Sequence, residues 1–201
     1  MKKINLLLIL SFLWLSSCSK NDDELAPVPV SQPITFENNT VVNVPDRNSA
    51  NFPSGESTIV ISQNSTISDA SKVSIELDIA HTFSSDVALE LIAPNGDKCG
   101  IINKINGTEE FITGNKLTFN SLHTVFLVPV GGVYITGNYA PSFAPGLTQV
   151  ATPISITPIA LSTFFNGKSI NGTWKIKMYD CTPIDTGKIN SWRIKFDTGA
   201  L

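Results

Sequence analysis

Charge is scarce in this chain: Asp, Glu, Lys and Arg make up 15% of its 201 residues, against about 25% in a typical globular protein. Histidine occurs twice, at His81 and His123, and cysteine three times. Each scarcity excludes something. After Lys3 no cluster of Lys and Arg occurs, so the chain lacks the basic footprint that neutralises phosphates, and nucleic acid is excluded as a partner. Two histidines leave few bases to activate a serine, and neither sits in a nucleophile elbow. Asp185 and Asp197 each open an Asp-Thr-Gly triplet. A single strand separates the two, so they lie at its opposite ends and cannot share a proton as an aspartic dyad does. No complete catalytic apparatus can be assembled from these residues.

What is present begins at the N-terminus. Lys2 and Lys3 form a positive region, and the apolar run from Ile4 to Leu15 is too short to span a bilayer but suits a signal peptide. The run ends in Leu15-Ser16-Ser17-Cys18, which resembles a bacterial lipobox. The resemblance implies that 1–17 is removed and that Cys18 becomes an acylated N-terminus, since two or more acyl chains hold a soluble domain stably on a membrane. Ser19-Lys20-Asn21-Asp22-Asp23-Glu24 follows, either an acidic export signal or a solvated tether. Pro27, Pro29 and Pro33 then suggest an extended spacer, so 18–35 reads as tether and 36–201 as the folded domain. Without Lys2 and Lys3, 12 basic residues face 17 acidic ones, a net charge of −5 for the mature chain.

The domain reads as strands. Val73, Ile75, Leu77 and Ile79 alternate with polar residues, as do Val87, Leu89 and Leu91; Leu117 and Phe119; Trp174, Ile176 and Met178; and Trp192, Ile194 and Phe196. Asn-Gly pairs at Asn95, Asn106, Asn166 and Asn171 punctuate them. Short alternating strands between turns predict an all-β, antiparallel sandwich with one buried face per strand. Residues 131–158, rich in Gly, Pro and aromatics, read as a long ordered loop.

The sequence also carries ordered motifs. Val44-Pro45-Asp46 opens the domain. His81-Thr82-Phe83-Ser84-Ser85-Asp86-Val87 and Leu91-Ile92-Ala93-Pro94-Asn95-Gly96 follow. Later come Asn171-Gly172-Thr173-Trp174, Asp180, Asp185-Thr186-Gly187 and Ile189-Asn190-Ser191-Trp192. Together, over about 42–197, they resemble the P domain, or homo B domain, of the proprotein convertase family. The resemblance implies a jelly-roll-like sandwich that, in convertases, sits beside a subtilisin-like catalytic domain and stabilises it. That catalytic domain is absent here, and no residue inherits its triad. His81, Thr82, Trp174, Gly187 and Trp192 are the structural motif residues, and His81 continues the inward parity of Ile79.

Asp86, Asp180 and Asp185, with Asp46 and Asp78 as weaker members, are the candidate calcium ligands. Carboxylates from several loops can serve a hard cation, and P domains of bacterial type often bind structural calcium, as the resemblance implies. The other reading is that these aspartates cap turns. Cys99 and Cys181 remain once Cys18 is assigned to the anchor. In an oxidising compartment they are expected to pair as a disulfide, with two buried thiols as the alternative. Trp174 and Trp192 lie on apolar faces and belong to the core. If a stacking platform for a glycan exists, Tyr134, Tyr139 and Phe143 are its candidates.

These readings converge on a non-catalytic lipoprotein of the cell envelope, expected in the outer membrane and at the cell surface, whose sandwich binds or stabilises a protein partner or an extracellular polymer. The alternatives are a subunit that completes a subtilisin-like serine endopeptidase in trans and a glycan-binding module. Replacing Cys18 with Ala is expected to release the domain from the membrane while leaving it folded. Membrane fractionation checks this, and a variant that still pellets with membranes would remove the anchor assignment.

Overall fold

The computed structural model describes residues 32–48 and 51–201, so the leader, Cys18 and most of the tether lie outside the described residues. The alternating segments form strands, as their period of two requires. Among the described residues the first sheet contains eight strands: β1 (Ile34–Asn38), β2 (Val42–Val44), β4 (Val73–His81), β7 (Glu110–Phe111), β8 (Leu117–Asn120), β9 (Val133–Tyr134), β10 (Gly137–Tyr139) and β13 (Gly187–Phe196). The second contains five: β3 (Ser54–Ile61), β5 (Val87–Ile92), β6 (Lys98–Asn103), β11 (Ser142–Phe143) and β12 (Gly172–Asp180). β13 lies between β1 and β2 on one side and β4 on the other, and β4 continues to β7 and β8. The second sheet runs β11-β6-β5-β12-β3.

The two sheets bury the faces that the alternation marks. Val73, Ile75, Leu77 and Ile79 of β4 meet Trp192, Ile194 and Phe196 of β13, and all seven are at most 1% exposed. Val87, Leu89 and Leu91 of β5 and Trp174, Ile176 and Met178 of β12 are likewise sealed and complete the same cluster. Each such side chain contributes about 1.5–3 kcal/mol relative to exposure. Both tryptophans find partners for their indole N–H, which a buried Trp needs. Trp174 Nε1 donates to Ile170 O at 2.8 Å, and Trp192 Nε1 donates to Ser57 Oγ at 3.1 Å, which ties β13 of one sheet to β3 of the other. The short helix α1 (Leu161–Phe165) turns Phe164 and Phe165 onto the Trp174 ring.

The all-β sandwich is as expected, with three differences. The sheets are mixed: β10 with β8, β11 with β6 and β9 with β7 pair in parallel. These pairs arise because residues 131–158 are more than a loop. The segment contributes β9 and β10 to one sheet and β11 to the other, and then crosses the outer face of the second sheet. There Ile154 and Phe143 pack on Ala88, Tyr179 and Cys181. The fold also begins slightly earlier than residue 36, since Ile34 pairs with Phe196.

The third difference concerns sulfur. Cys99 and Cys181 are both buried free thiols, not a disulfide. Parity separates them. Cys99 is in register with Leu91 and faces the space between the sheets, whereas Cys181 follows inward-facing Asp180 and lies in the cluster on the outer face. The second sheet stands between them. Burial pushes both thiols up to about 12, so neither offers a thiolate for exchange at neutral pH. Reducing agent should therefore leave the melting temperature unchanged. Both thiols should resist a thiol reagent until the domain unfolds, which mass spectrometry of the alkylated protein resolves. A melting temperature that falls on reduction would reinstate the bridge.

Candidate functional site at the motif end of the sandwich

The dispersed sequence motifs meet at one end of the molecule. β4 ends at His81 where β13 begins at Gly187, and the two residues face each other across the strand pair. A Cβ on residue 187 would lie 2.5 Å from His81 Cδ2, 3.0 Å from Met178 Cε and 3.2 Å from the Ala80 carbonyl oxygen. Gly187 is therefore the space into which the imidazole folds. The ring is fixed at its other nitrogen, because Phe83 N donates to His81 Nδ1 at 3.1 Å. An N–H can only donate, so Nδ1 is the acceptor and the neutral ring carries its proton on Nε2.

That proton faces Asp180. His81 Nε2 and Asp180 Oδ2 are 3.6 Å apart, and both side chains are 0% exposed. Neither atom has a hydrogen-bond partner. Asp180 Oδ1 accepts from Thr182 N at 3.2 Å. Burial raises the Asp180 carboxyl above its ordinary range; the Thr182 bond and His81 oppose this, while the negative charges of Asp86 and Asp46 add to it. Asp86 is also buried, and its carbonyl accepts from Cys181 N at 2.8 Å, so it holds the start of the loop after β12.

The loop itself, 182–186, is pinned from both sides. Thr82 Oγ1 donates to Asp185 Oδ1 at 2.7 Å, and Ile184 N donates to Asp46 Oδ1 at 3.0 Å. Between those pins Ile184 has φ of 102° and stands 89% exposed. A β-branched residue with positive φ is a strained conformation, of the kind that persists only where its surroundings impose it. Beside the loop opens a groove of about 660 Å³, whose walls include Val44, Asp46, His81, Glu110, Phe111 and Lys188.

The aspartates thus divide. Asp46, Asp86, Asp180 and Asp185 gather at this end. Asp78 sits elsewhere on β4, where Lys116 Nζ at 2.7 Å, Gly114 N at 3.0 Å and Asn190 Nδ2 at 2.9 Å donate to it. Burial alone would raise its pKa, but these bonds outweigh it and hold the carboxyl below its ordinary value. Asp46 accepts from the Ile184 N–H and Asp185 from the Thr82 hydroxyl, so both tie the loop down. Among the described residues no group of three or more His, Cys, Asp or Glu is arranged so that it could hold a metal ion. The aromatic platform is not formed. Tyr134 is 1% exposed and stacked on Phe111 with centroids 4.6 Å apart, Tyr139 is 6% exposed, and Phe143 packs over Gly100. Nothing in the sequence signalled the Ile184 backbone, since positive φ is expected at glycine and not at a β-branched residue.

A two-sheet sandwich that gathers dispersed polar motifs at one end is a module of defined class. Residues 151–196 match the proprotein convertase P-domain. The matched stretch takes in α1, β12, the pinned loop and all of β13, and His81, Thr82 and Asp86 are bonded or paired into it from outside. Over 170 residues the chain is 25% identical to leupeptin-inactivating enzyme 1 of Streptomyces exfoliatus, covering 85% of this chain and 27% of that protein. It is 26% identical over 161 residues to the transglutaminase-activating metalloprotease of Streptomyces mobaraensis, covering 80% and 15%. The chain therefore spans about a quarter of one relative and less of the other. A solved serine protease of Aeromonas sobria aligns over 84% of this chain and 28% of its own, with 17% identity and a TM-score of 0.40.

The fit of His81 against Gly187 gives a direct test. Gly187→Ala should cost about 1–3 kcal/mol through overpacking, a drop of roughly 3–10 °C in melting temperature for a domain of this size. In a His81→Ala background the same substitution should cost much less, because its main obstacle is gone. Equal costs in both backgrounds, measured by calorimetry, would show that the glycine serves something other than the ring.

Proposed function

We propose that this chain is a P-domain module, held at the cell envelope through Cys18, that binds or stabilises a protein partner and performs no peptide hydrolysis of its own. The observation that carries this reading is the use to which the motif residues are put. The one histidine in a motif is sealed against Asp180, with both side chains at 0% exposure, so neither can reach a substrate. Their neighbours Thr82 and Asp46 instead hold an apolar residue, Ile184, out into solvent beside a groove. A fixed apolar anchor next to a concavity is what a protein interface uses at its centre, because an anchor already held in place loses little entropy on binding.

The partner class we favour is a protease that lacks a stabilising domain of its own. The relatives' names support it: one is an enzyme that inactivates leupeptin and the other a metalloprotease that activates transglutaminase. A photo-crosslinking residue placed at position 184 should trap one envelope protein, and Thr82→Val with Asp46→Asn should weaken the trapping by loosening the loop. The purified domain should not cleave casein. Peptide turnover that copurifies with the domain and disappears with Asp180→Asn would overturn the non-catalytic reading, and crosslinks scattered over many proteins would overturn the docking loop.

A further inference from the structure

The distribution of charge contains a second surface. No Asp, Glu, Lys or Arg occurs between Lys116 and Lys168. Within that stretch, Leu122, Val125, Phe126, Val128 and Val130 are each 57–69% exposed. A run of large apolar side chains this close together on a soluble face is unusual, and such patches mark contacts. The segment is held in place and not loose: Ala140 N donates to Val125 O at 2.7 Å, and Leu127 N donates to Ser142 Oγ at 2.9 Å. Leu127 is turned inward and buried, so the residues around it are the ones left facing out.

Its position says what faces it. Ile34, the first residue of β1, pairs with Phe196, which pairs with Val73, and the next residue of β4, Ser74, pairs with Asn120. Leu122 turns off Asn120, whose Oδ1 accepts from Leu122 N at 2.7 Å. The apolar strip therefore starts at the end of the sandwich where the chain enters from its N-terminal tether, and it runs along the edge to Val130, which pairs with Val133 beside Glu110 and Phe111 near the His81 end. From Cys18 to Gln32 the chain can span at most about 50 Å even when fully extended. A domain tethered this closely meets the bilayer at high effective concentration, so a modest apolar contact is enough to dock it. The stretch itself brings no Asp, Glu, Lys or Arg into the interface, so little charge has to be desolvated there, Glu110 beside its Val130 end being the exception. Of the charges at that end, Lys72 and Asp69 are paired with each other at 3.5 Å, and Asp197 sits beside them, its backbone N–H donating to Lys72 O at 2.9 Å.

We propose that the apolar edge carrying Leu122, Val125, Phe126, Val128 and Val130 lies on the lipid bilayer. The inference rests on the anchoring of Cys18, so the test supplies the anchor separately. The domain's core closes within residues 32–201, and residues 19–201 with an N-terminal hexahistidine can be held on phosphatidylcholine vesicles through a nickel-chelating lipid. A polarity-sensitive fluorophore is attached at Val125→Cys, or at Ile184→Cys as the distal control. The buried native thiols do not compete for it. The label at 125 should shift to the blue on vesicles, and the label at 184 should not. Without the nickel lipid, Leu122→Ser with Phe126→Ser should lower vesicle binding on the order of tenfold or more, with the melting temperature reporting that the fold is retained. An unchanged spectrum at 125 overturns the proposal. So does a shift that appears without vesicles and grows with protein concentration, which would make the strip a contact between two copies. Mass spectrometry of the mature protein tests Cys18 on its own: absent acylation would remove the natural anchor and leave the vesicle result standing.

Discussion

The close approach of the His81 ring to the Gly187 backbone organises this molecule. β13 pairs along its length with β4 and with β1 and β2, so its register sets that of most of the first sheet. Where it begins, a side chain at 187 would collide with the imidazole, with Met178 of the opposite sheet and with the Ala80 backbone. The two sheets converge at that point, and the polar residues around it are satisfied mostly by backbone groups of neighbouring turns. Loosening the contact would disturb the start of β13, the end of β4 and the loop that carries Ile184 together.

Much of this was legible in the sequence, for a definite reason. A period of two over Val73–Ile79 or Trp192–Phe196 reports which face is buried, because a one-residue slip would expose the whole set. The motif around His81 and Gly187 reported the convergence of distant segments only through family resemblance, since spacing alone does not bring residues more than a hundred positions apart into contact. The Cys99–Cys181 pairing shows where such inference fails. Both residues are buried and an oxidising compartment would permit a bridge, yet strand parity sends them to opposite faces of one sheet. The strand containing Cys99 carries a register shift between Leu89 and Glu90 of its partner, which no alternation pattern displays in advance. Tyr134 and Tyr139 were equally opaque, because their burial depends on short parallel strands formed by a segment rich in Gly and Pro.

Two other buried carboxylates, Glu90 and Asp78, differ from the His81–Asp180 pair. On the outer face of the second sheet Glu90 receives the Tyr179 hydroxyl at 3.0 Å and Lys98 Nζ at 3.3 Å. On the first sheet Asp78 receives three donors. Those carboxylates are compensated. Asp180 keeps one oxygen unmatched while burial disfavours its charge. Such a cost persists in a fold when it is offset elsewhere, here by a continuous apolar core.

The pairing of Ile34 with Phe196 has a consequence for how such a domain can be combined with others. Entry and exit of the chain lie side by side at one end, while the loops with the strained isoleucine lie at the other. A unit with adjacent ends can be spliced into or appended to a longer polypeptide with little change to either fold. The same architecture can thus serve as an appendage of a large protein or as a body on its own lead, and in either arrangement its distal loops remain oriented outward from the point of attachment.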